Sequence, residues 1–227
     1  MKFYFITIFP EIINAYFSCS IIGRAAREGI IQFRVIDLKN FGEPPHYKLD
    51  DYPYGGGAGL VLKPEPLAKA ILNSLSQDPQ AKVIFLTPAG IPFSQPLAQK
   101  FSNYSSLIFV CGRYEGFDQR VVDLFGGLEI TVGPFVVSGG ELPALLVADC
   151  VARLLPNVLG NQKSVEMESF TDFNNLEAPQ YTRPEVFCGM RVPDVLLSGN
   201  HKEIDQFRKE LALTRYKKIK SNPHNKV

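Results

Sequence analysis

Residues 135–146 read FVVSGGELPALL, and the change of character midway through them decides the fold. An apolar run ends in Ser138-Gly139-Gly140, and a helix-like pattern begins at Glu141. A glycine pair between an apolar run and a helix marks close backbone approach, because a side chain there would hold the neighbouring chain away. Outward from this point, short apolar runs alternate with helix-like stretches. The runs predict strands over Phe3–Ile8, Ile31–Leu38, Val83–Thr87, Leu107–Cys111 and Leu128–Val132. Helices are expected over Pro66–Ser76, Gln95–Asn103, Asp118–Phe125 and Leu142–Leu155. The strands are continuous apolar runs, not strict alternations, as in a parallel sheet with helices on both faces. The fold class is therefore α/β, with ligand-binding loops expected at the strand ends.

The chain has 227 residues, 45% of them apolar and 21% charged, enough to bury a sizeable core. The opening MKFYFITIFPE carries one Lys and meets Pro10-Glu11 with no small-residue cleavage site, so it reads as a buried strand followed by a turn. No apolar stretch reaches the ~20 residues that span a bilayer. No membrane partner is expected, and the expected location is the cytoplasm. Cys19, Cys111, Cys150 and Cys188 are widely spread, with no CxxC pair and only three histidines in the chain. They read as free buried thiols and not as a disulfide framework or metal site.

After Pro156 the pattern changes. The stretch NVLGNQKSVEMESFTDFNN is polar, without periodicity, and too long for an ordinary connection. The expected organisation is an α/β domain over 1–160, a linker over 161–175 and a small helical C-terminal domain over 176–227. Residues 201–227 hold eight Lys or Arg against three acids, a balance of +5. The chain as a whole is +1, which leaves −4 for the rest. A basic terminal helix, KEIDQFRKELALTRYKK, on a near-neutral body suggests a polyanion such as nucleic acid.

Three glycine-bearing loops follow three of the strands: TPAGIPF, CGRYEGFDQR and TVGPFVVSGGELP. None is a phosphate cradle, since GxxxxGK[ST] is absent and no GxGxxG opens a helix after the first strand. Together they could wall one pocket with backbone, which suits a flat heteroaromatic such as adenine. Leu86, Ile130 and Leu142 would supply apolar contact. Glu115, with Asp118 close behind it, favours a ligand that carries positive charge. That combination points to S-adenosylmethionine before a dinucleotide.

The stretches DDYPYGGGAG (50–59), VCGRYEGFDQRV (110–121), VVSGGELPALL (136–146) and YTRPEV…VPDVLLSGNH (181–201) resemble the bacterial tRNA (guanine-N1)-methyltransferases of the SPOUT class. The resemblance runs nearly collinearly from the first strand to about His201. It implies methylation of guanine 37 beside the anticodon, S-adenosylmethionine as cofactor, a deep trefoil knot near Leu86–Leu142, and a homodimer with its active sites at the subunit interface. For the cofactor it implies Leu86, Thr87 and Pro88 from the first loop and Gly112, Tyr114 and Glu115 from the second. From the third it implies Ile130, Val132, Gly133, Val137, Gly139, Gly140 and Leu142.

Methyl transfer to guanine N1 needs a base to remove the N1 proton and a cation near O6 to hold the developing charge. By resemblance the base is Glu168, in ESF where relatives carry DSF, with Glu166 and Asp172 as nearby alternatives. The cation is Arg153, at the end of the helix over 142–155. His46, Asp50, Tyr54, Gly55, Gly57, Ser164 and Arg183 are the implied substrate contacts, and the basic helix would hold the anticodon stem-loop of tRNA. No protein site for Mg2+ is predicted, with its requirement left open. Pro134 and Phe135 replace an acid and an aromatic of the usual pattern, and Pro134 removes one N–H donor. Two other readings stay open: a knotted ribose 2′-O-methyltransferase, and a non-catalytic RNA-binding module.

Overall fold

The structure is a computed structural model that describes residues 1–45, 47–160 and 176–221. The chain divides into two units, Met1–Gly160 and Asn161–Val227. The first is built on a parallel sheet of β1 (Lys2–Thr7), β2 (Gln32–Asp37), β5 (Lys82–Pro92), β6 (Ser106–Cys111) and β7 (Leu128–Thr131), in the order β2-β1-β6-β5-β7. The intervening β3 (Asp50–Asp51) and β4 (Val61–Leu62) form a separate antiparallel pair. Period-2 geometry explains why the main strands read as unbroken apolar runs. Phe3 and Phe5 of β1 join Phe109 of β6 and Ile84 of β5 in one core, while Tyr4, Ile6, Ile108, Val83 and Phe85 enter another. Both faces of β1, β6 and the first half of β5 are thus buried, while the edge strands β2 and β7 are only partly covered.

The first core is covered by α1 (Pro10–Phe17), α2 (Ser20–Arg27), α4 (Gln95–Ser102) and α6 (Glu141–Arg153). The second lies under α3 (Pro64–Gln77), α5 (Gln119–Phe125) and a 3-10 turn at Leu38–Phe41. Phe17 stacks on Phe33 and meets Phe5 edge-on, so α1 is keyed to the sheet by aromatic contacts. The expected turn at Pro10 is instead the first residue of α1. A proline at this position costs nothing, since its missing N–H has no partner inside a helix and its fixed φ suits the start.

β5 extends past the expected end at Thr87. Its pairing with β7 breaks between Leu86 and Ile91 and resumes at Ile91↔Ile130 and Pro92↔Thr131. Gly90 makes this possible, because a Cβ there would occupy the space of the Glu129–Ile130 backbone. The four cysteines are free, as expected, but only Cys111 is fully buried; Cys19 and Cys188 are exposed.

The described part of the second unit holds a short hairpin, β8 (Val186–Phe187) and β9 (Met190–Arg191), then α7 (Asp194–Leu197) and α8 (His201–Lys220). The hairpin turns on Cys188-Gly189, both at positive φ, the backbone that a two-residue turn of this hand requires. It adds strand structure that the helical expectation for this segment did not include. Asn200 caps α8 by accepting from the Glu203 N–H. Twenty residues give α8 a length of about 30 Å. The linker expected over 161–175 lies outside the described residues.

Candidate active site

Because β6, β5 and β7 are parallel neighbours, their carboxyl ends lie side by side, and the loops that leave them enclose a cleft of about 370 Å3. That volume is in the range of small-molecule sites. Leu86, Thr87 and Pro88 line it from the stretch of β5 where its pairing with β7 breaks, Gly112, Tyr114 and Glu115 from the loop after β6, and Ile130, Val132, Val137, Gly139 and Gly140 from the end of β7 and the loop after it. The three loops quoted from the sequence therefore meet in one place. Two expected members do not line the cleft. Leu142 is 63% exposed: it follows Glu141 on α6, and one helical step turns its side chain away from the inward-facing carboxylate. Gly133 stands behind Phe135, whose ring occupies the space where a Gly133 Cβ would be.

The walls touch through backbone. Gly140 N–H donates to the Gly112 carbonyl at 2.8 Å. A Cβ on Gly140 would lie 2.7 Å from both Cys111 Cα and Gly112 N, too close for any side chain. This answers what the glycine pair approaches: the end of β6. Arg113, which the sequence reading quoted but gave no role, ties the same loops by its side chain. Its guanidinium donates to Glu141 Oε2 from Nε at 2.9 Å and to the Ser138 carbonyl at 3.1 Å, and lies 4.3 Å above the Phe9 ring. Glu141 is 1% exposed, and its other oxygen accepts from Thr7 Oγ1 at 2.6 Å. The signal for this pair was a carboxylate opening a helix immediately after two glycines, facing an arginine in a loop that those glycines touch.

The segment 50–62 is stitched to the second loop. Glu115 N–H donates to Leu60 O at 2.9 Å, Leu62 N–H to Gly116 O at 2.9 Å, and Asp118 N–H to Leu62 O at 3.1 Å. The Glu115 carboxylate fills the space beside Gly59, whose φ of +85° also favours glycine. Asp50 reaches the cleft edge: the Tyr114 phenol, held above its ordinary value by burial, is raised further by the charge of Asp50 and a hydrogen bond to it. Tyr54, Gly55 and Gly57 form an exposed turn, with both glycines at positive φ.

Arg153 is partly buried in the last turn of α6, about 18 Å along the axis from Glu141. Arg183 belongs to the second unit, where it lines a separate hollow with Tyr181 and Arg208. His46, Ser164 and Glu168, with the alternatives Glu166 and Asp172, lie outside the described residues. Among the described residues no group of His, Cys, Asp and Glu could hold a metal ion, and no helix is long and apolar enough to cross a membrane.

Comparison with known proteins adds to this geometry. Residues 1–224 match the family described as tRNA (Guanine-1)-methyltransferase TrmD. The chain is 46% identical to the tRNA (guanine-N(1)-)-methyltransferase of Clostridioides difficile (strain 630), over 92% of this chain and 91% of the relative. It is 46% identical to proteins of the same name from Staphylococcus carnosus (strain TM300), over 95% of this chain and 87% of the relative, and from Dictyoglomus turgidum, over 92% and 83%. The chain belongs to the tRNA (guanine-1)-methyltransferase family.

Proposed function

We propose that the protein transfers a methyl group from S-adenosylmethionine to N1 of guanine 37 in tRNA. The observation that carries this reading is the meeting of three glycine-bearing loops in one backbone-walled cleft at the carboxyl ends of β6, β5 and β7. The lining suits that donor. Backbone N–H and C=O groups can read an adenine edge, and the only cation on the wall among the described residues, Arg113, is already paired with Glu141. Glu115 and Glu129 remain as negative charge toward a cationic ligand. When bound, S-adenosylmethionine supplies an electrophilic methyl group on a sulfonium.

The chain's own residues have three tasks. The loops hold the donor and exclude water from the reacting face. Glu168 removes the N1 proton, since a carboxylate one methylene longer than Asp has nearly the same intrinsic basicity, ~4.3 against ~3.9. Arg153 stabilises the charge that develops at O6. Arg153 stands about 18 Å from the cleft end of its own helix, beyond the reach of its side chain, so it serves the cleft of a second protomer. A homodimer is supported by the outer face of α6, where Leu142 and Leu146 are 63% and 44% exposed on one stripe. A threaded, knotted path is supported by Gly90 and Gly140, each pressed against backbone distant in sequence. Asp50, Tyr54, Gly55, Gly57, His46 and Ser164 would contact the guanine and its neighbours, and Arg183 with the basic α8 would hold the anticodon stem-loop by its phosphates. This activity places the protein in the cytoplasm, where tRNA is modified.

Unmodified tRNA transcripts with guanine or adenine at position 37, incubated with S-adenosylmethionine and digested to nucleosides, test the reading. 1-Methylguanosine from the guanine transcript alone is expected. A 2′-O-methyl product, or none with folded dimer and intact transcript, would overturn it.

A further inference from the structure

Arg113 is the one cation on the cleft wall among the described residues, and all three guanidinium nitrogens have partners. Two nitrogens contact Glu141 Oε2 at 2.9 Å, another donates to Ser138 O, and the plane lies over Phe9. Its side chain is 17% exposed and that of Glu141 only 1%. Glu141 is held in turn by Thr7 Oγ1, which also accepts from the Phe9 N–H at 2.9 Å. A buried carboxylate with both oxygens occupied, behind the wall of a site for a cationic donor, does more than join two loops.

We propose that Glu141 is a positioning residue that neutralises and anchors Arg113 in the cleft wall, so that the site prefers the sulfonium donor over its neutral thioether product. Arg113 is useful at this point because it bridges loops 112–116 and 138–140. Left uncompensated, its charge would repel the donor and leave the product untouched, which biases the site toward holding product. Glu141 removes that bias and keeps the bridge. Thr7, on the neighbouring β1, fixes the carboxylate so that it cannot swing toward the ligand itself.

The inference rests on S-adenosylmethionine as the cofactor, and the test separates the two claims. Calorimetry measures the affinities of the parental protein and its variants for S-adenosylmethionine and S-adenosylhomocysteine. Glu141→Gln keeps the shape and loses the charge. It is expected to weaken the donor about tenfold relative to the product, the equivalent of ~1.4 kcal/mol. Glu141→Asp keeps the charge with a shorter reach; both ligands weaken and their ratio stays parental. The double variant Arg113→Gln/Glu141→Gln, neutral at both positions, returns the ratio to parental. Equal weakening of the two ligands in Glu141→Gln, or no change in either, would overturn the proposal. If Glu141→Gln does not fold, Arg113→Gln, which leaves the carboxylate without its cation, is expected to move the ratio about tenfold toward the donor. An unchanged ratio there overturns the proposal equally. Binding of neither compound by the parental protein would overturn the functional reading, and the proposal with it.

Discussion

Gly140→Ala tests the close approach that organises the cleft. The new methyl carbon would sit 2.7 Å from Cys111 Cα and Gly112 N and 3.0 Å from Cys111 C. Carbon atoms pack at about 3.5–4.0 Å, so the start of α6 and the end of β6 must part by roughly 1 Å. The Gly140–Gly112 hydrogen bond, now 2.8 Å, would then pass ~3.5 Å and be lost. Overpacking costs about 1–3 kcal/mol and the buried backbone bond about 1 more. For a unit of this size that lowers Tm by roughly 5–15 °C. The same displacement separates two walls of the cleft, and ~1 Å of misplacement costs on the order of a hundredfold in rate. Thermal unfolding, cofactor calorimetry and methylation rate are read on Gly140→Ala beside Gly160→Ala, where a Cβ meets nothing within 4 Å. Equal Tm, affinity and rate for the two variants would refute the reasoning.

Gly90→Ala is expected to be worse than Gly140→Ala, because its Cβ would overlap three backbone atoms of Glu129 and Ile130, none able to rotate aside; recovery of a soluble, cooperatively unfolding protein would contradict this. Asp118 caps α5 through the Arg120 N–H, so Asp118→Ala should cost about 1 kcal/mol in denaturant unfolding at neutral pH. Its carboxyl is held below the usual range by the Arg120 guanidinium, so its contribution is full above the ordinary carboxylate value and fades as pH falls through the lowered one. Asp118→Asn should therefore flatten the acid limb of the stability profile, and an unchanged limb would refute it. Charge reversal at Lys217 and Lys218 of α8 should weaken tRNA binding in filter assays and reduce the slope of log affinity against log salt by roughly 0.7–0.9 per lost phosphate contact, leaving cofactor affinity unchanged.

The sheet was legible because its central strands are buried on both sides: Phe3–Ile6 and Leu107–Val110 have no charged position to break the run. Elements shorter than the pattern window were not. β3 and β4 have two residues each, and β8–β9 turns on Cys188-Gly189, where a cysteine at positive φ sends no composition signal. Pro10 was misread because proline punctuates turns and opens helices equally well, and only the packing of Ile13 and Phe17 decides between them. The cleft was visible as three glycine loops because adjacent parallel strands carry their loops to one end. Which way Leu142 faces was not legible, because helical phase at a first turn depends on where the cap falls, and Gly140 is the cap. The Thr7–Glu141–Arg113 chain was not legible, since its members lie up to 134 residues apart and only the packing of β1, β6 and α6 joins them.

The most direct measurement is a crystal structure of the protein with S-adenosylmethionine. The account predicts the adenine between residues 86–88, 112–115 and 130–140, with the sulfonium toward Glu115 and the Arg113–Glu141 pair intact. A donor bound anywhere else, or a cleft that stays open to solvent at saturating donor, would contradict it.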